Sequence, residues 1–426
     1  MLKRKLVMDF FAELRENIEK TKILKRELKI TLIENKATSI VGPRRAGKTY
    51  YLKFLAKKFS SFFYVDFENI IFRKIEPLEI FEILALYTEV TGEKPKILFL
   101  DEIQNLKEWQ SVVRSLIDRG YIPIITGSSS KLLSREIATQ LRGRTLSYLL
   151  LPFSFREYLF EFKRVRIKRF FSLSEEAKIK KNLRDYLFFT SYPEILITGN
   201  KRLLNEYYTT IFYRDFVERF GLKSVELAKF IFNFFLQNFS KEFSINKIAN
   251  FLKSQGIRFG KNTIYNYVEK LPETLNVFFV ERAEKSIYKR LWPRKVYICD
   301  LGLADIVSFS KDFGKRMENT VFLELLRKTN ENPLLEIYYW KDYQQREVDF
   351  LVKEGLRIKK LIQVTYTSGL DEIERRELKS LVKAYDLFKK DKPELLIISW
   401  DFEDEIKFEG KKIRLIPLWK WLLSIA

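Results

Sequence analysis

Apolar positions along the amino-terminal third fall into short runs separated by helical periods. "ATSIVG" (37–42) predicts a buried strand, and "KTYYLKFLAKKFS" (48–60) places Tyr51, Leu52, Leu55 and Phe59 at helical spacing. "FFYVDFEN" (62–69) is aromatic and β-branched, as strands are, and "PLEIFEILALYTEV" (77–90) is helical. "KILFLDE" (96–102) reads as a strand ending in two acids, and "EWQSVVRSLIDRG" (108–120) as a helix stopped by Gly120. "YIPIITGSSS" (121–130) is a strand that runs into small polar residues, and "TLSYLLLPFSFREYLF" (145–160) is a strand followed by a helix. Strands alternating with helices predict a parallel α/β sheet. Ahead of it, residues 10–35 are expected to form one or two charged amphipathic helices.

From 155 to about 230 the pattern is helical, with a strongly basic stretch at 163–185 and a long aromatic helix at 202–220. "SINKIANFLKSQG" (244–256) and "KNTIYNYVEKL" (261–271) read as two short helices around a glycine-bearing turn, followed by strands at 275–282 and 294–300. The last segments read in order as helix "MENTVFLELLRKT", strands "LEIYYW", "EVDFLVK" and "KKLIQVTY", helix "ERRELKSLVKAY", and strands "ELLIISW" and "IRLIPLW". No internal repeat or low-complexity tract is evident.

Composition narrows the chemistry. The chain has 426 residues, 46% of them hydrophobic, enough for two or three packed domains. Lys and Arg number 78 against 56 Asp and Glu, a net charge of +22. That balance favours polyanionic partners, nucleic acid before anionic lipid, although a heat-adapted lysine-rich surface has the same signature. One cysteine, Cys299, and no histidine exclude an in-chain disulfide, a Cys/His zinc site and a Ser-His-Asp triad. Any metal must be held by oxygen, which points to Mg²⁺ or Mn²⁺. The first residues mix charges through their apolar positions and no run approaches 18 apolar residues, so no signal peptide and no membrane association are expected and the cytoplasm is the expected location.

Glycine is scarce, at 15 residues, yet "GPRRAGKT" spends two of them five apart and closes on Lys-Thr. It fits G-x-x-x-x-G-K-[ST] with a strand before and a helix after. Residues Gly42, Pro43, Arg44, Arg45, Ala46, Gly47, Lys48, Thr49 and Tyr50 would cradle the phosphates of ATP, with backbone N–H groups and the helix dipole turned toward the anion. Lys48 would reach the β- and γ-phosphates and the Thr49 hydroxyl would bind Mg²⁺. "ILFLDE" places Asp101 and Glu102 at the carboxyl end of a strand, the edge where open α/β sheets bind ligands. Asp101 is expected in the Mg²⁺ shell and Glu102 as general base on water. Thr126 and Ser128–Ser130 end the next strand, where a hydroxyl such as Ser128 would orient water or sense the γ-phosphate; the plainer reading is a strand leaving for a loop. Arg142 and Arg144 in "QLRGR" are candidates to neutralise transition-state charge, in cis or across an oligomer, or else a surface pair.

"VGPRRAGKT", "LFLDEIQN", "ITGSSS", "LRGR" and "LPFSFREYL", in this order, resemble the archaeal-type AAA+ ATPases that carry a restriction-endonuclease-like (DUF4143-type) domain. "YPEIL", "FYRDF", "VYICDLGLADI", "MENTVFLEL" and "REVDFLV" extend the resemblance over nearly the whole chain. It implies an α/β P-loop core over 1–154, a helical lid over 155–230, a winged-helix domain over 231–305 and a PD-(D/E)xK-like α/β domain over 306–426. A winged helix would present Lys261, Asn262, Thr263, Tyr265 and Asn266 to a groove, with Lys285, Lys289, Arg290 and Arg294 at the ribbon tip for phosphates. The nuclease-like domain matches its acids at Asp349 and Glu318, but its Glu-x-Lys position reads Gln363-Val364-Thr365. Glu347, Lys359 and Lys360 are the candidates to compensate. The missing charge predicts a catalytically silent domain. The expected activity is Mg²⁺-dependent ATP hydrolysis coupled to conformational change and to DNA, with possible homo-oligomers. A regulatory ATPase with protein partners and an ATP-regulated structure-specific nuclease are the alternatives.

Overall fold

The computed structural model describes residues 4–128, 141, 143–257, 259–284, 293–308 and 311–424. The chain divides into two compact units, Met1–Pro152 and Phe153–Ala426. Helical segments of the first unit are α1 (Arg4–Lys20), α2 (Lys48–Ala56), α3 (Glu79–Thr91) and α4 (Trp109–Asp118). Its strands are β1 (Ala37–Val41), β2 (Phe63–Asp66), β3 (Ile97–Asp101), β4 (Ile122–Gly127) and β5 (Thr145–Leu149). They form one parallel sheet in the order β2-β3-β4-β1-β5. Every residue of β1, β3 and β4 is buried, as parallel strands covered on both faces require.

The amino-terminal helix ends earlier than its charge pattern suggests. α1 buries Val7, Phe11, Leu14 and Ile18 against α3, with the Phe11 ring edge-on to Tyr87 at 5.2 Å. Beyond Lys20 the chain to residue 33 forms neither helix nor strand. Tertiary bonds hold it there: the Tyr51 hydroxyl donates to the Leu28 carbonyl at 2.7 Å, and Tyr148 accepts from the Thr31 N–H at 3.0 Å.

The second unit begins with helices α5 (Phe155–Lys163), α6 (Leu173–Leu187), α7 (Pro193–Thr198), α8 (Arg202–Thr210) and α9 (Val225–Gln237). The helix α8 runs on into a π-helical stretch over Ile211–Glu218. Ser154 and Ser172 start α5 and α6 with full capping boxes, closed by Glu157 and Glu175. Next come β6 (Lys241–Phe243), α10 (Ile245–Ser254), α11 (Lys261–Lys270), β7 (Val277–Val280) and β8 (Arg294–Ile298), whose strands make an antiparallel sheet in the order β6-β8-β7.

The carboxyl-terminal part comprises α12 (Leu301–Val307), α13 (Phe313–Lys328), β9 (Leu335–Lys341), β10 (Glu347–Glu354), β11 (Arg357–Val364), α14 (Arg375–Leu387), β12 (Glu394–Ser399), β13 (Asp404–Phe408), β14 (Lys411–Pro417) and α15 (Leu418–Leu423). Its sheet order is β13-β14-β12-β11-β10-β9, antiparallel at both flanks and parallel from β11 through β12 to β14. Two elements differ from the sequence reading. Leu418 and Trp419 open α15 instead of ending a strand. The polar segment Asp404–Phe408 is an edge strand, turned onto β14 by Glu409 and Gly410, both at positive φ (45° and 74°). The helices expected to form a separate lid pack within this unit, α6 against α13 and α8 against α12.

Gly42 follows β1 and lies against the backbone just past β5. A Cβ there would stand 2.0 Å from the Leu150 carbonyl oxygen, a backbone atom that cannot move aside cheaply. Gly42→Ala should therefore destabilise the first unit by about 1–3 kcal/mol, read as a lower urea midpoint.

Candidate functional site

The glycine-rich turn lies at the carboxyl end of β1 and opens α2. Arg45 (φ 68°) and Gly47 (φ 95°) hold left-handed conformations that curl the loop, and Gly47 is the N-cap of α2 without any side-chain capping bond. The first N–H groups of α2 are thus left to another acceptor, which is how helix N-termini receive phosphate. Gly42 N–H donates to the Gly127 carbonyl at 3.4 Å, so the loop is tied to the end of β4. From the amino-terminal segment, buried Arg26 donates to the Ala46 carbonyl at 2.8 Å and the Leu151 carbonyl at 2.6 Å, clamping the loop from outside. Sequence reasoning missed Arg26, because nothing in its neighbours separates it from the other cations of that segment.

Lys48 is buried at 5% exposure and folds back over the loop. Its Nζ donates to the Gly42 and Pro43 carbonyls at 3.2 and 3.3 Å and lies 3.4 Å from Glu102 Oε1. Arg44 stands 3.7 Å from Glu68, while Arg45 and Tyr50 are exposed.

Asp101 is fully buried at the end of β3. Two hydroxyls donate to its carboxylate, Tyr64 at 3.0 Å and Thr126 by a short bond, and the Thr49 hydroxyl acts on it from the first turn of α2. Burial raises the Asp101 carboxyl above its ordinary range, and the hydroxyls from Thr126, Thr49 and Tyr64 offset this only in part. Glu102 follows in a left-handed conformation (φ 50°, ψ 50°), uncommon for this residue type. Its N–H donates to Thr126 Oγ1 at 2.9 Å, and its carboxylate accepts from the Gln104 amide. Burial alone would raise the Glu102 carboxyl, but Lys48, Gln104 and Arg44 outweigh it and hold it below the usual range. Glu102 is therefore a carboxylate at neutral pH, able to accept a proton.

Because β4 lies between β1 and β3, Thr126 reaches both acids with one hydroxyl. Ser128 is buried directly after β4, beside the loop; Ser129 and Ser130 lie outside the described residues. Arg142 lies outside them as well. Arg144 precedes β5 at the opposite edge of the sheet: its carbonyl accepts from Ala37 N–H at the start of β1, and its guanidinium pairs with Asp118 at 2.5 Å. The length of a five-residue strand, roughly 15 Å, separates it from the glycine loop. It cannot act in cis on a nucleotide held by Lys48.

A second acidic centre lies in the carboxyl-terminal sheet. Glu318 from α13 and Asp349 from β10 come together as the sequence reading expected, and Glu347 joins them. The cation among them is Lys295 from β8, which sequence reasoning did not select. Its Nζ is 3.0, 2.6 and 2.8 Å from Glu318, Glu347 and Asp349. Burial, then Asp349, pushes the Glu318 carboxyl up to about 8. Lys359 and Lys360 do not compensate: they pair with Glu354 and Glu394 at 3.3 and 2.9 Å. Gln363 is buried with its Oε1 unpartnered, as is Glu377 Oε2, and burial lifts the Glu377 carboxyl to about 7. Arg294, expected at the ribbon tip, is instead buried and paired with Glu269 at 2.9 Å. Lys285, Lys289 and Arg290 lie outside the described residues. Among the described residues no group of three or more Asp, Glu, Cys or His is disposed to hold a metal ion, and no helix is long and apolar enough to cross a membrane.

Family models match three consecutive segments: an AAA domain over residues 34–159, a domain of unknown function (DUF8612) over 180–312, and a domain of unknown function (DUF4143) over 313–421. The protein MJ1544 of Methanocaldococcus jannaschii is 38% identical over 423 residues, covering 96% of this chain and 93% of its own. A Haemophilus influenzae protein is 26% identical over 417 residues, covering 92% and 96%. Among solved structures, a Walker-type ATPase of Pyrococcus abyssi aligns over 72% of this chain and 96% of its own, at 17% identity and a TM-score of 0.41. The Orc1 protein of Aeropyrum pernix in complex with DNA aligns over 71% and 91%, at 12% identity and a TM-score of 0.27. With a phosphate loop, paired acids and these relatives, the chain belongs to the family that joins an AAA-type P-loop ATPase domain to a carboxyl-terminal DUF4143 domain.

Proposed function

We propose that the first unit binds Mg²⁺–ATP at the carboxyl edge of its sheet and hydrolyses it, with Lys48 on the β- and γ-phosphates, Thr49 and Asp101 as magnesium ligands, and Glu102 as general base. The observation that carries this reading is the approach of Lys48 Nζ to Glu102 Oε1 at 3.4 Å. It joins the phosphate loop to the acid strand across the intervening β4, with the Thr49 hydroxyl acting on Asp101 beside it. Magnesium, when bound, neutralises charge that develops on the phosphates during transfer. A triphosphate draws Lys48 off the Gly42 and Pro43 carbonyls and away from Glu102, which leaves that carboxylate free to polarise water. Thr126 fixes the spacing of the two acids, and Ser128 has the place of a sensor beside the γ-phosphate. An arginine finger at Arg144 would come from a second copy of the chain, which makes the active form an oligomer.

The second unit is proposed to carry the effect of ATP turnover to DNA. The order α9-β6-α10-α11-β7-β8, with sheet order β6-β8-β7, supports reading this part as a winged helix. Lys261, Asn262, Thr263, Tyr265 and Asn266 are all exposed on α11, and the chain's net charge of +22 favours a phosphate backbone. One observation favours the alternative of a protein partner: Arg294 and Lys295 are buried in ion pairs and offer nothing to phosphates.

Lys48→Ala should lose ATP binding by calorimetry. Glu102→Gln should keep binding and lose turnover by about 10²–10⁴-fold; unchanged hydrolysis in both variants refutes the site. Thr126→Val should lower kcat by up to about a hundredfold with KM for ATP little altered, and Thr126→Ser should restore it. Retention on duplex DNA should fall steeply with salt, and ATPase rates should rise with duplex or branched DNA; neither response would favour the protein-partner reading.

A further inference from the structure

The carboxylates of the second acidic centre come from two elements, Glu318 from α13 and Glu347 and Asp349 from β10. The cation comes from a third, β8 of the antiparallel three-stranded sheet. Lys295 is 2% exposed, and an ammonium has three N–H bonds to give. Its nitrogen donates to Glu318 at 3.0 Å and Asp349 at 2.8 Å, and Glu347 Oε1 forms an ion pair with it at 2.6 Å.

The remaining lone pairs are also engaged. Glu318 Oε1 accepts from the Tyr297 hydroxyl at 2.7 Å, and Tyr297 lies two residues along β8 from Lys295, with its ring stacked on Phe322 at 4.3 Å. The second Asp349 oxygen accepts from the Val364 N–H at 2.9 Å. The second Glu347 oxygen pairs with Lys341 at 3.0 Å. Gln363 is the exception. One step past the Phe350–Ile362 pair, it falls opposite Asp349 on the same sheet face, and its buried Oε1 has no partner. An oxygen left over beside a satisfied acidic cluster is a donor without a cation to bind.

We propose that the Lys295 ammonium is a built-in cation that occupies the acidic centre of the carboxyl-terminal sheet and shuts divalent metals out, so that the centre fastens the three-stranded sheet to the six-stranded one. A divalent ion would have to displace an ammonium whose strand is held by pairing on both sides, with β6 and with β7. It would also leave that ammonium buried next to it, like charge against like charge. Take the ammonium away, and Glu318, Asp349 and the spare Gln363 oxygen form an all-oxygen donor set of the kind that suits Mg²⁺ or Mn²⁺. This inference goes beyond the ATPase reading and does not depend on it.

The test titrates full-length, nucleotide-free protein with Mn²⁺ and reads free Mn²⁺ by electron paramagnetic resonance. Wild type and Asp349→Asn should give the same isotherm. The double variant Lys295→Met with Glu347→Gln, which avoids leaving three carboxylates unpaired, should bind a further ion at least roughly tenfold more tightly than wild type does, and adding Asp349→Asn should abolish the gain. Circular dichroism confirms that the variants fold. If the double variant folds as wild type and gains no manganese, the proposal fails. It fails equally if Asp349→Asn lowers the uptake of the wild type, a comparison that stands even where the double variant does not fold. Cleavage of branched DNA with Mn²⁺ by the wild type, lost in Asp349→Asn, would also overturn it.

Discussion

A carboxylate with no access to water is the constraint around which the first unit is built. Asp101 is buried at the end of β3, where an unpaired charge would cost several kcal/mol. Two hydroxyls from two elements answer it, Tyr64 from β2 and Thr126 from β4. Each hydroxyl ties its element to the same point. The strand order, with β3 between β2 and β4, is what lets one carboxylate gather them. The phosphate loop is held against the acids by Gly42 N–H on the Gly127 carbonyl and by Lys48 beside Glu102, whose N–H is fixed by the same Thr126 hydroxyl.

The two units set a buried lysine against acids in opposite ways. Lys48 has two backbone carbonyls and one distant carboxylate, Glu102 at 3.4 Å. Neutral carbonyls are weak partners for an ammonium, and a phosphate group replaces them readily. Lys295 has three carboxylates within 3.0 Å and scarcely any exposure. The same side chain thus meets one carboxylate and two neutral carbonyls in one unit and three carboxylates in the other.

The nucleotide site was almost wholly legible in the sequence because its chemistry is local. A loop that must turn backbone N–H groups toward an anion needs Gly42 and Gly47 at fixed spacing, and acids at a strand end announce themselves by following four apolar residues. Thr126 was recognisable as a hydroxyl at the end of the next strand, but its two hydrogen bonds, donated to Asp101 and accepted from Glu102 N–H, were not. Arg26 left no trace at all, since its role depends on carbonyls at positions 46 and 151. The irregular course of residues 21–33 was read as helix, because a charged segment with scattered apolar residues has the same pattern whether it coils alone or lies along a neighbour.

By itself, then, the amino-acid sequence determined the elements, the parallel core and the phosphate-binding chemistry, all of which follow from spacing along the chain. Tertiary structure alone decided where cations end up. Arg144 sits at the wrong edge of its sheet for a nucleotide in its own subunit, Arg294 is drawn into a pair with Glu269, and Lys295 lies among acids that come between 23 and 54 positions later. A lysine's charge is the same in every context of the sequence. Its partner is set by which strand edge and which helix face are brought together, and no local pattern encodes that.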